Sequence, residues 1–126
     1  MRLYFAIIFI ALNSAFGFCQ SAEFHFLDKT TVKLGKFKEG DKVSHTFTFT
    51  NSGDIPLLIS ATKVSCTCTT IDFNRQPILP GDTSTITIHF DTNGKYFWQD
   101  RVVYIESNAK KEEKLRFKLY VEPKED

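Results

Sequence analysis

After Met1 the chain has no further methionine, and its 126 residues include only three cysteines, Cys19, Cys66 and Cys68. A copper carrier built on thioethers is thereby disfavoured, and a four-thiolate structural zinc site lacks the ligands. Charge of one sign is also missing: sixteen lysines and arginines stand against fifteen acidic residues, a net charge of +1. The two signs are interspersed, so nothing suits a nucleic-acid backbone. No glycine-rich phosphate loop, dinucleotide fingerprint or nucleophile elbow is present. Asp91, Asp100 and Glu106 are carboxylates without a spacing that recurs in acid–base enzymes. The chain therefore reads as non-enzymatic, and no cofactor is expected.

Long apolar runs are scarce as well. The one candidate, Leu3–Leu12 ("LYFAIIFIAL"), follows Met1-Arg2 and is broken by Asn13, Ser14 and Gly17. A membrane-crossing helix needs about twenty apolar residues. One basic residue followed by a shorter apolar run fits a secretory signal peptide. Residues 1–19 are read as that leader, with cleavage between 17 and 21. Lipid attachment at Cys19 is not expected, because Phe18 stands where Gly, Ala or Ser is wanted. Export to the periplasm or the exterior follows, with no transmembrane segment in the mature chain. About 105 residues remain, enough for one domain with one core.

What is present is period-two alternation. In "VSHTFTFT" (43–50) Val43, His45, Phe47 and Phe49 share one face, while Ser44, Thr46, Thr48 and Thr50 share the other. Ile86, Ile88 and Phe90 repeat the pattern, as do Leu115, Phe117, Leu119 and Val121. Such alternation marks half-buried strands. Asn51-Ser52-Gly53-Asp54, Pro80-Gly81-Asp82, Asn93-Gly94-Lys95 and Ser107-Asn108-Ala109 punctuate them as turns. No window after the leader sustains a helical period. About seven short strands over residues 23–122, the first two segments read as one broken strand, predict an all-β, immunoglobulin-like antiparallel sandwich, and residues 123–126 form a tail expected to fray.

Asn51-x-Gly53, Pro56-Leu57, Ser65-Cys66-x-Cys68-Thr69, Pro80-Gly81 and Ser107-Asn108-Ala109, in that order, resemble the bacterial family called domain of unknown function 1573. The likeness runs over about residues 30–122. It implies an exported Ig-like domain related to major-sperm-protein and PapD-like folds, and implies no established activity. Thr67 stands where that family usually has glycine.

The pair Cys66/Cys68 carries three readings. On an extended strand the two Cα atoms lie about 6.5 to 7 Å apart, too far for a bridge. A tight turn closes that gap, and an oxidising compartment favours it, but β-branched Thr67 prefers extended backbone. Two thiolates on one face suit a soft ion such as Cu(I), so Cys66 and Cys68 are the candidate metal ligands; His25, His45 and His89 have no ligand spacing. The favoured reading is a pair of reduced, small packing residues. His45, on the apolar phase, is expected to be buried and hydrogen-bonded, and His89 solvated.

Lys95-Tyr96-Phe97-Trp98-Gln99 gathers three aromatics beside a glycine turn. Either they cover the sandwich edge, or Tyr96, Phe97 and Trp98 form an exposed patch for a glycan or protein partner. The resulting expectation is a binding or scaffolding module of the bacterial envelope, acting through sheet edges and end loops on a protein partner. The alternative is a thiol-dependent role of Cys66/Cys68 in copper handling or disulfide exchange.

Overall fold

The computed structural model describes residues 20–125. The leader at 1–19 and Cys19 lie outside the described residues. Alternation becomes eight strands: β1 (Phe24–Phe26), β2 (Thr31–Lys38), β3 (Lys42–Asn51), β4 (Ile59–Val64), β5 (Thr69–Phe73), β6 (Thr83–Asp91), β7 (Phe97–Ser107) and β8 (Glu113–Glu122). They form two four-stranded sheets, ordered β1-β3-β6-β5 and β2-β8-β7-β4. No strand holds the core alone. Each sheet has one apolar face, and burying both faces against each other makes the sandwich.

Phe47, Phe49, Ile86, Ile88 and Phe90 face Val103, Ile105, Leu115, Phe117, Leu119 and Val121, all buried. Phe90 and Phe117 meet edge to face across the layers, with ring centres 5.5 Å apart. Each such side chain contributes about 1.5 to 3 kcal/mol by leaving water. The wet faces are also paired. Thr46 and Thr87 are cross-strand partners whose hydroxyls lie 3.0 Å apart, as are those of Thr50 and Thr83 at 3.1 Å.

Two features depart from expectation. The broken first strand is two separate strands, because the link at 27–30 crosses between the layers and delivers β1 and β2 to different sheets. Arriving from that side, β2 runs parallel to β8, whereas all other pairs are antiparallel. His45 is half-buried rather than buried, its ring edge-on to Phe47 at 4.8 Å.

The turn motifs prove to be staples. Asn51 is fully buried, and its amide nitrogen donates to the carbonyls of Ile55 and Ile78, both at 2.8 Å. Gly81 N–H donates to the Asn51 carbonyl at 2.8 Å. Asn108 secures the other side of the same segment: its Oδ1 accepts from Leu58 N–H at 2.9 Å and its amide donates to the Pro56 carbonyl at 3.0 Å.

Candidate functional site

The outer face of the β2-β8-β7-β4 sheet carries the exposed aromatics. The Asn93-Gly94 turn, with Gly94 at φ 75°, feeds β7. Phe97 itself sits at φ 65°, in the left-handed region. A bulky side chain there costs roughly 1 to 3 kcal/mol, and such strain gathers at functional positions. Past this point the pleat turns Trp98 outward. Trp98 is 70% exposed, Phe97 56% and Tyr96 49%. β4 pairs with β7 only over Val103–Ser107, so at Phe97 and Trp98 β7 is open on that side and the aromatics lie beside a free stretch of strand.

Register brings in residues that spacing could not reveal. Trp98 is the cross-strand partner of Tyr120, with rings edge to face at 5.4 Å. Phe97 also reaches the Tyr120 ring, at 6.2 Å. From β2, Lys36 Nζ stands 5.7 Å from the centre of the Tyr120 ring and 3.3 Å from Glu122. Lys33, Lys118 and Glu125 complete the rim of an open cleft of about 780 Å³. Gly35, at φ 100° beside a register shift in β2, lies in its wall. The result is an aromatic centre with a charged rim, the composition of protein-recognition surfaces.

Below the cleft, Arg116 clasps Asp100 with two hydrogen bonds, Nε to Oδ1 at 2.8 Å and a second from Nη2 to Oδ2. Hydrogen bonding from Arg116 holds the Asp100 carboxyl below the usual carboxylate range, with weaker help from the Lys118 and Arg101 charges. At the β4 edge, Glu106 accepts from Lys63 at 2.7 Å and raises the Lys63 ammonium pKa.

Cys66 and Cys68 lie elsewhere, in the connection from β4 to β5, and they are joined as a disulfide with Cα atoms 5.2 Å apart. This corrects the favoured reading of two reduced thiols. The pair is not on a strand: Thr69 N–H donates to the Cys66 carbonyl at 3.2 Å, closing a four-residue turn. Neither Thr67 nor Cys68 has positive φ, so Thr fits the turn where glycine is usual. Cys68 N–H also donates to Cys66 Sγ at 3.2 Å. Both cysteines are half-buried.

Beside them a shallow cavity of about 420 Å³ is bordered by Lys42, Ser44, Thr67, Cys68 and His89. His89 is more than solvated: its Nδ1 pairs with Ser44 Oγ at 2.8 Å and its Nε2 with Asp72 Oδ2 at 2.7 Å. Among the described residues no group of three or more His, Cys, Asp or Glu side chains could hold a metal ion. No described helix is long and apolar enough to cross a membrane.

A family model described as "Protein of unknown function (DUF1573)" matches residues 25–121. No curated protein matches the chain. Among solved structures, a protein of unknown function from Porphyromonas gingivalis is similar at TM-score 0.69 and 17% identity, over 80% of this chain and 47% of that one. The VesB protease of Vibrio cholerae is similar at TM-score 0.63 and 17% identity, over 93% and 35%. The PapD-like domain of human CEP192 is similar at 0.58 and 12% identity, over 84% and 88%. The chain thus spans less than half of the first two proteins. At these identities the likeness is one of fold.

Proposed function

The chain belongs to the DUF1573 family of proteins of unknown function, and from that premise we propose that it is an exported, non-enzymatic binding module of the bacterial envelope. Its partner is a protein, engaged through the Trp98 face. The observation that carries this reading is the pairing of a largely exposed Trp98 with Tyr120 on an open sheet face. Exposed aromatic clusters with charged rims are rare on isolated domains and concentrate binding energy where they occur. The Phe97 backbone, held at φ 65° beside the cleft, supports it further.

Export rests on the leader, Met1-Arg2 followed by Leu3–Leu12, and on a disulfide that suits an oxidising compartment. Strand addition at an edge is a poorer mode for β2, because Lys33, Lys36, Lys38 and the register shift at Gly35 blunt that edge. The test is affinity capture from the native envelope with the wild type, Trp98→Ala and Tyr104→Ala. Tyr104 is exposed on the same strand outside the cleft. A protein captured by the wild type and by Tyr104→Ala, and lost with Trp98→Ala, is the expected result. Equal capture by all three would remove the Trp98 face from the account.

A further inference from the structure

We propose that the Cys66–Cys68 disulfide is an exchangeable one that oxidises a dithiol on a partner protein, with Cys68 receiving the attack and Cys66 leaving. The site is in the β4–β5 connection, beside β3 and β6 and outside the Trp98 cleft, and the inference stands independently of the binding surface.

Three observations carry it. First, the bridge closes a loop of only three residues, the smallest constraint on the unfolded chain, so chain stability gives little reason for it. The turn is held without it, by Thr69 N–H to the Cys66 carbonyl and by Asp91 N–H to the Cys68 carbonyl at 2.9 Å. Opening the bridge therefore leaves the backbone in place, which a reversible couple requires. Second, the two cysteines, both half-buried, differ in what they border. Cys68 borders the 420 Å³ cavity beside β3 and β6, and Cys66 does not. That cavity gives an incoming thiolate a route to Cys68, whose other side packs against the core.

Third, the sulfurs are unequal in stabilisation. Cys66 Sγ accepts the Cys68 backbone N–H at 3.2 Å, whereas Cys68 Sγ has the longer contact to the Thr69 hydroxyl at 3.8 Å, and the closer hydrogen bond to sulfur favours the thiolate over the thiol. A better-stabilised thiolate is the better leaving group.

The exchange balances in two displacements. One thiolate of the partner attacks Cys68 Sγ, the Cys66–Cys68 bond breaks, and Cys66 departs as a thiolate with both bond electrons. The partner is now joined to Cys68. Its second thiolate attacks its own sulfur in that mixed disulfide and displaces Cys68. Two electrons have passed from the partner's dithiol to Cys66 and Cys68. The partner holds a new disulfide, and the two protons it gave up pass to Cys66, Cys68 or solvent. One protein oxidises one dithiol.

The test uses the full chain carrying Cys19→Ser, so that only this pair is read, and a synthetic peptide with two cysteine thiols as the probe. Peptide disulfide formation is followed by mass after acid quenching and alkylation. The expected result is one peptide disulfide per protein, formed at least about tenfold faster than by the same concentration of oxidised glutathione. The quenched intermediate carries the peptide on Cys68, and the reduced protein stays folded at 25 °C. A rate no greater than that of glutathione would overturn the proposal. So would attachment at Cys66, or unfolding of the chain on reduction.

Discussion

Asn51 Oδ1 accepts the backbone N–H of Gly53 at 2.9 Å, and Gly53 lies so close to the first residues of the domain that a Cβ would come within 2.1 Å of the Ser21 carbonyl oxygen. An Asn-x-Gly turn is thereby the point where the chain's beginning is locked onto its body. The same Oδ1 accepts from Glu23 N–H at 3.3 Å, while its amide holds Ile55 and Ile78.

Replacing Asn51 strands those buried backbone groups, each costing about 1 to 3 kcal/mol when unpaired. Asn51→Ala is expected to cost about 3 kcal/mol or more, a fall in Tm of roughly 12 to 24 °C for a domain of this size. Asn108→Ala, at an exposed position, is expected to cost about 1 kcal/mol, the ordinary worth of a hydrogen bond. Thermal denaturation of both variants checks the ranking.

Phe97 supplies a second prediction. Phe97→Ala removes the ring and keeps the left-handed strain, whereas Phe97→Gly removes both. Glycine should therefore be the more stable replacement by about 1 to 2 kcal/mol, against its usual disadvantage in strands. Urea titration of the two variants decides it; an alanine variant as stable as the glycine one would mean that the φ of 65° carries no strain.

The disulfide should matter little to stability. A three-residue loop yields about 1.5 kcal/mol on the chain-entropy account. The double variant Cys66→Ser with Cys68→Ser is expected to melt cooperatively, with Tm lowered by roughly 6 to 12 °C. Loss of the folded state would assign the bridge a structural role.

The Asp100–Arg116 pair is exposed, and its signature is pH dependence. The folded pKa of Asp100 lies below its unfolded value. Its contribution is complete above the ordinary carboxylate value of about 3.9 and is lost as pH falls through the lower folded value. The Tm difference between wild type and Asp100→Asn should be present at about pH 7 and shrink at about pH 2. It should also shrink with added salt. A difference that ignores both would place the effect in packing.

The sandwich was legible because period-two runs such as Phe47, Phe49, Ile86, Ile88 and Phe90 leave one face per sheet to bury. The parallel entry of β2 was not, since alternation states which face is inward and says nothing of neighbour or direction. For the candidate site the sequence offered Tyr96, Phe97 and Trp98, but Tyr120 lay hidden on the polar phase of its strand until register placed it opposite Trp98. Lys36 comes from a strand more than sixty residues away. The disulfide was not legible because β-branched Thr67 favours extended backbone, whereas at its place in the turn the backbone needs no positive φ.

The most direct test of the account is site-specific photo-crosslinking in the native host. A photoreactive side chain replaces Trp98 in one strain and Thr46, on the outer face of the opposite sheet, in another. The account predicts a discrete protein adduct from position 98 that is absent from position 46. No adduct at 98, or the same adducts from both positions, would contradict it.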